Sequence, residues 1–221
     1  MKLKNLIIAS MLSTTALFAN ADDMTGSNPI SDFYVQLNGG AALGLVSNGD
    51  LGNKRAGTSG LFGGEIGYQF DEYFRAGISV DSLTKFSFSE NTKYQRYNYS
   101  TKYKIKSLVA MVNLYYNIID AKGFTPYITI GAGVARNKMS GTQNVNDLNE
   151  DISIPQASKN NFAFKAGLGT RYSLNKNISF DLRYQYSDLG KLKSGSSADT
   201  GPAFTGKLRA HEFIAGVAYK F

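Results

Sequence analysis

Apolar residues recur at every second position in eight separate stretches of this chain, the period of an extended strand with one apolar face. The first covers about residues 32–46, with Phe33, Val35, Leu37, Ala41, Leu43 and Leu45 on one face and Tyr34, Gln36 and Asn38 on the other. In 60–70, Phe62, Ile66, Tyr68 and Phe70 oppose Glu65 and Gln69. In 73–85, Phe74, Ala76, Ile78 and Val80 oppose Arg75, Ser79 and Asp81. Residues 106–118 set Leu108, Ala110, Val112, Leu114 and Tyr116 against Ser107, Asn113 and Asn117. The second half repeats the scheme. Ile128, Ile130, Ala132 and Val134 in 125–137 face away from Thr129, Gly131 and Gly133. Phe162, Phe164, Ala166, Leu168 and Tyr172 in 161–174 face away from Lys165, Gly167, Gly169 and Arg171. In 178–187, Ile178, Phe180, Leu182, Tyr184 and Tyr186 alternate with Ser179, Asp181, Arg183 and Gln185. The last stretch, 211–221, sets Phe213, Ala215, Val217, Tyr219 and Phe221 against Glu212, Gly216, Ala218 and Lys220, and Ile214 alone breaks its polar side.

The connections alternate in length. Those at 71–72, 119–124 and 175–177 are short turns, whereas 47–59, 86–105, 138–160 and 188–206 are long and polar. The charges Glu65, Arg75, Asp81, Lys165, Arg171, Asp181, Arg183 and Glu212 all fall on the face opposite the apolar one. A Lys or Arg facing lipid at the bilayer midplane costs about 2–4 kcal/mol, so a face free of charge suits hydrocarbon. Tyr68, Phe70, Phe74, Tyr116, Tyr172, Phe180, Tyr219 and Phe221 collect near the short-turn end, as an interfacial girdle does. The pattern predicts an all-β fold, an eight-stranded antiparallel transmembrane up-and-down β-barrel over residues 32–221. Its short turns face the periplasm and its four long connections face outward.

The N-terminus adds a destination. Met1-Lys2-Leu3-Lys4 is basic, residues 5–18 are mostly apolar, and Ala19-Asn20-Ala21 has the small-x-small form of a cleavage site. This predicts a signal peptide over 1–21 and a flexible periplasmic N-terminal segment over 22–31. The apolar run is too short, and too interrupted by Ser and Thr, to serve as a membrane-spanning helix. With no cysteine, disulfides, thiolate metal sites and a lipoprotein anchor are excluded. The chain carries 24 Lys and Arg against 17 Asp and Glu, a formal net charge of +7. That mild excess is compatible with an anionic partner surface.

Several motifs resemble those of the eight-stranded opacity-like and porin-family surface proteins, related in architecture to the transmembrane domain of outer-membrane protein A. They are Phe33-Tyr34-Val35, Gly63-Gly64-Glu65-Ile66-Gly67-Tyr68, Leu114-Tyr115-Tyr116-Asn117, Pro126-Tyr127-Ile128-Thr129-Ile130-Gly131-Ala132-Gly133 and the terminal Phe221. The Lys- and Asn-rich composition is similar to that of surface antigens of rickettsia-type intracellular bacteria. The resemblance implies an integral outer-membrane surface protein, structural or adhesive, with a small porin or ion channel as the alternative. It also implies that the C-terminal strand, through Tyr219 and Phe221, is recognised by the barrel-assembly machinery. Outer-membrane lipid and lipopolysaccharide are expected partners, a host surface protein or glycan is a further one, and nucleic acid is not.

Two constellations carry the candidate chemistry. The eight charges on the polar face balance four against four, and in an eight-stranded lumen filled by side chains they must pair. They read as a structural salt-bridge plug before a gated ion path. In 85–106, Lys93, Tyr94, Arg96, Tyr97, Tyr99, Lys102, Tyr103 and Lys104, with Lys106, interleave cations and aromatic rings. That mixture suits sulfated glycans, lipopolysaccharide phosphates or an acidic host protein, or else two strands extended above the membrane. Asp147, Glu150 and Asp151 lack calcium-loop spacing. The single histidine, His211, has Glu212 on the opposite strand face, so the adjacent pair cannot act together in catalysis. No enzymatic activity and no cofactor are expected.

Overall fold

The eight alternating stretches form eight strands. They are β1 (Phe33–Asn48), β2 (Gly52–Gln69), β3 (Phe74–Tyr94), β4 (Tyr97–Asn117), β5 (Phe124–Val145), β6 (Glu150–Ser173), β7 (Ile178–Lys193) and β8 (Thr205–Lys220). The structure, a computed structural model, describes residues 32–48, 52–94, 97–119, 122–145, 150–195 and 204–221. The expected signal peptide and periplasmic segment, 1–31, lie outside these residues. Each strand pairs antiparallel with the next, and β8 returns to β1 from Tyr34↔Lys220 to Ser47↔Lys207, which closes the barrel.

Around the half of the barrel that ends in the short turns, the alternation falls as expected. Leu37, Phe62, Ile78, Leu108, Ile130, Phe162, Leu168, Leu182 and Phe213 point outward, with Leu37 76% and Phe162 71% exposed. So continuous an apolar belt on the outside of a barrel is a surface for lipid, because in water it would drive aggregation. The short-turn end is ringed by aromatic contacts, Phe33–Tyr68 at 4.9 Å, Phe74–Tyr116 at 5.2 Å, Phe124–Tyr172 at 4.6 Å and Tyr219–Phe221 at 5.3 Å between ring centres. The expected girdle is therefore present.

The strands run much farther than the sequence pattern predicted. Most of 47–59, 86–105 and 138–160 and both ends of 188–206, read as loops, continue the strands, and β3 and β4 stay paired out to Tyr94↔Tyr97. Two effects hid them. First, β2, β3, β6 and β7 each carry one extra residue at a register shift, opposite Leu43/Leu45, between Leu83 and Phe86, opposite Met139/Gly141 and near Asp188/Gly190. An extra residue exchanges the inward and outward sets from there on. Gly57 and Gly190 occupy two of these sites with φ of 78°, a conformation that favours glycine. Second, polarity inverts beyond this level. Phe86, Phe88, Ile105, Met139, Leu189, Leu192 and Leu208 turn inward to form an apolar core, while Lys102, Lys104, Lys106, Arg136 and Lys138 face out.

The same level divides the sheet. The β2–β3 ladder ends at Leu61↔Leu83 and the β6–β7 ladder at Phe164↔Asp188, although the other six continue outward. The outer part is therefore two four-stranded sheets, β7–β8–β1–β2 and β3–β4–β5–β6, closed over the apolar core. Bulges bend and twist strands, and they sit on both strands flanking each parting. Side chains suture the gaps: Ser59 Oγ accepts from Lys85 N at 3.0 Å, and Asn161 Nδ2 donates to the Lys191 carbonyl at 2.8 Å. Pro155, on the β6 edge, accepts from Gly195 N at 3.1 Å. Phe88, Tyr103 and Phe204 stack over the outer end of the core, 5.0–5.8 Å apart.

Candidate functional site

The lumen is the first candidate site, and it is solid. All eight charges expected there point inward. Glu65, contributed by β2, accepts hydrogen bonds from Tyr34 Oη and Asn113 Nδ2, both at 2.7 Å, and from Tyr115 Oη at 2.5 Å. Arg183 Nη1 donates to the same Tyr115 oxygen at 2.9 Å, which links the carboxylate to a guanidinium through a phenol. Asp181 accepts from Tyr127 Oη at 2.8 Å, with Arg75 at 3.8 Å and Arg171 at 3.7 Å. The Arg75 guanidinium lies over the rings of Tyr115 and Tyr127, 4.2 and 4.4 Å from their centres, and the two rings meet edge to face at 5.5 Å. Stacking on π-faces compensates a buried guanidinium that has few acceptors.

A second group lies farther out. Asp81 accepts from Ser79 Oγ at 3.2 Å, and Glu212 from Gln185 Nε2 at 2.5 Å. Lys165 Nζ, Asp81 Oδ1 and Gln185 Oε1 have no direct hydrogen-bond partner among the described residues. Their residues line a cavity of about 10 Å³ with Glu212 and Ser187, dimensions that suit a single water. Above it the apolar core begins, with Leu61, Leu83, Val109, Met111 and Leu189 on the same cavity wall.

The sequence pattern missed the lumen tyrosines. Tyr34 was placed on the polar face without a role, and Tyr115 and Tyr127 went unassigned. Glycines on that face make room for these rings. A Cβ on Gly67 would meet the Tyr34 ring at 2.3 Å, and one on Gly169 would meet Tyr127 at 2.6 Å. A tyrosine out of phase with the lipid face, directly opposite an inward glycine on the next strand, is the signal. Reading it requires the register.

The outer ribbon is the second candidate site. Lys102, Lys104 and Lys106 are exposed on the outward face of β4. Tyr103, grouped with them in the sequence, turns inward against Phe88 and Phe204, because a strand alternates its side chains. It is a core residue and no part of a surface for ligands. The backbones of Lys93, Tyr94, Tyr97 and Tyr99 belong to the paired ribbon, whereas Arg96 lies outside the described residues. So does Asp147, and Glu150 and Asp151 open β6. His211 faces outward between Tyr184, whose Oη lies 2.7 Å from its Nδ1, and the ring of Tyr186. Tyr219 and Phe221 form the β8 part of the girdle.

With this geometry in place, comparison with known proteins is decisive. Residues 8–221 match the family model for the outer membrane protein beta-barrel domain. The chain belongs to that family. It is 33% identical over 181 residues to the outer membrane protein PagN of Salmonella typhimurium, covering 74% of each protein. It is 22% identical over 222 residues to a putative adhesin of Rickettsia conorii, covering 91% of this chain and 88% of the relative. Among solved structures it is similar to Neisserial surface protein A, with a TM-score of 0.50 and 22% identity over 86% of this chain and 97% of that one. OprG of Pseudomonas aeruginosa gives 0.50 and 18% over 86% and 96%. These two likenesses concern the fold.

The protein is thus an integral outer-membrane β-barrel with adhesin-like relatives. That location orients the molecule. The short turns face the periplasm, and the two-sheet head with its basic outer face projects from the cell.

Proposed function

We propose that this barrel is a surface adhesin, and that its projecting β3–β4 ribbon presents positive charge to a sulfated or phosphorylated glycan, or an acidic protein, on a host surface. The observation that carries the reading is the reach of the ribbon. From Lys106 to Tyr97 it rises roughly 20–25 Å above the apolar belt, at ~3.4 Å per residue and a barrel tilt of about 40°. Lys102 and Lys104 stand exposed along it. The head beneath is packed, so the ribbon is held away from the membrane on a rigid base.

The rest of the reading follows the same logic. The reading assigns the protein no catalysis: His211 is engaged on the outer face by Tyr184 and Tyr186. On this reading residues 1–21 serve as a cleaved export signal and 22–31 precede the barrel in the periplasm. The β8 end, with Tyr219 and Phe221, is the segment that the barrel-assembly machinery engages.

Cells displaying Lys102→Gln/Lys104→Gln at wild-type surface density test the ribbon. Each lost surface contact is worth about 0.2–1 kcal/mol, so binding to immobilised heparin should fall roughly 2-fold or more. Unchanged binding of cells to heparin and to host matrix would remove the adhesive role of this ribbon.

A further inference from the structure

Parting into two sheets gives the head four outer strand edges, and three of them are blunted. An unpaired edge is a template for another strand, and proteins guard such edges with proline, bulges or short length. The β6 edge carries Pro155 in its bulge, and the Pro155 carbonyl already accepts from Gly195 N at 3.1 Å. On β7 the Lys191 carbonyl accepts from Asn161 Nδ2 at 2.8 Å, and the strand ends at Lys193. The β2 edge is interrupted at its bulge by Gly57, with φ of 78°. The β3 edge has none of these guards. Beyond the bulge at its base, its ladder with β4 runs unbroken from Phe86↔Ile105 to Tyr94↔Tyr97, with no proline.

Two contacts fix which way the β3 backbone points. Lys85 N donates to Ser59 Oγ at 3.0 Å, so the Lys85 peptide group faces β2. A Cβ on Gly57 would meet the Ser87 carbonyl oxygen at 3.0 Å, so Ser87 faces β2 as well. Paired residues in an antiparallel strand alternate between its two neighbours, which turns the peptide groups of Ser89, Asn91 and Lys93 to that same side. β2 does not follow them. Its ladder with β3 stops at Leu61↔Leu83, and among the described residues no strand pairs with this side of β3 from Phe88 to Tyr94. The N–H and carbonyl groups of Ser89, Asn91 and Lys93 thus stand in a row at the rim of the head.

The two faces beside this edge differ in chemistry. Ser87 and Ser89 are exposed on the outward face, opposite Lys104 and Lys102 of β4, and Lys85 is exposed at the base of the same row. On the inward face Phe88 packs with Tyr103 and Phe204. A strand added to β3 lies about 4.8 Å beyond it and roughly 10 Å from β4, a distance that a lysine and a glutamate side chain span together. Its alternate side chains meet cations on one face and the aromatic cluster on the other. A second copy of this chain fits poorly, because pairing edge to edge sets Lys85, Lys102 and Lys104 near their own images.

We propose that the outer β3 edge, from Ser89 to Lys93, binds an extended segment of another protein by strand addition, the segment alternating acidic and apolar residues. Main-chain hydrogen bonds supply the affinity, and the lysines select the sign of the charge. The inference deepens the adhesive reading and rests on it for a ribbon that faces the host, but strand addition is independent of any glycan.

The test is fluorescence anisotropy of a short labelled peptide alternating Glu and Val, titrated with the barrel refolded in detergent micelles. Saturable binding is expected, and none of the matching Lys/Val peptide. Ser89→Pro removes a donor that β4 does not use, so it should weaken the peptide roughly 10-fold and leave heparin binding unchanged. Lys102→Gln/Lys104→Gln should weaken both ligands. N-methylation of alternate peptide residues should abolish binding in one phase and spare it in the other. Full peptide affinity in Ser89→Pro, or equal binding of the two N-methylated peptides, would overturn strand addition. Equal binding of the Lys/Val peptide would overturn the acidic partner. A cross-linked dimer that Ser89→Pro dissolves would make the occupant a second copy, and overturn the partner as well. A barrel that binds heparin but not the Glu/Val peptide would overturn this inference and leave the adhesive reading standing.

Discussion

Replacing Glu65 by Gln isolates the electrostatic part of the lumen, because the two side chains have nearly the same shape. Glu65 is 3% exposed and holds three donors, the hydroxyls of Tyr34 and Tyr115 and the amide of Asn113. Hydrogen bonds to a charged group are worth about 1.5–3 kcal/mol, against about 0.5–1.5 for neutral pairs. Glutamine retains one acceptor oxygen, so two donors keep weakened bonds, at a loss of roughly 1 kcal/mol each. The third donor then faces an NH₂, and an unsatisfied buried group costs about 1–3 kcal/mol. The sum, about 3–5 kcal/mol, agrees with the roughly 3–5 kcal/mol for breaking a buried ion pair. The assay is reversible urea unfolding in phosphatidylcholine vesicles, followed by far-ultraviolet circular dichroism and gel mobility, since the chain has no tryptophan to report by fluorescence. Tyr115→Phe should couple to it, so that the double variant loses less than the two single losses together. A Glu65→Gln barrel within about 0.5 kcal/mol of wild type would refute the view that the charges act as one paired network.

Two further outcomes probe the plug and the head. Phe86 is fully buried in the apolar core of the head, so Phe86→Ala should destabilise by about 3–5 kcal/mol and speed tryptic cleavage of the outer strands on intact cells. A loss below about 1 kcal/mol would mean that the head does not pack as a core. The lumen is obstructed twice, by Arg75 over the Tyr115 and Tyr127 rings and by the apolar core above it. The purified barrel should therefore show no stable pore in planar bilayers, and persistent large conductance steps would restore the small-porin alternative.

What the sequence determined by itself was local and periodic. A strand facing lipid must place an uncharged side chain at every second position, so eight apolar faces, their order and the inward set of eight charges were legible from Phe33 to Phe221. The short turns were legible too, because 71–72 and 175–177 interrupt that period abruptly. Strand length was not. Beyond its bulge the inward set of β3 changes phase and polarity together, and that of β4 changes polarity alone, so Phe86, Phe88 and Ile105 read as parts of a loop although they build a core. Tyr103 was misassigned for the same reason: its neighbours Lys102 and Lys104 are exposed, and only the pleat shows that it points the other way. Tertiary structure alone decided which residues meet across strands. Glu65 finds Tyr115 fifty positions away, and Lys106 is set against Lys138, through register that accumulates around the closed barrel. Periodicity says which way a side chain points; which partner it meets depends on how the ladders align, and each added residue shifts every contact beyond it.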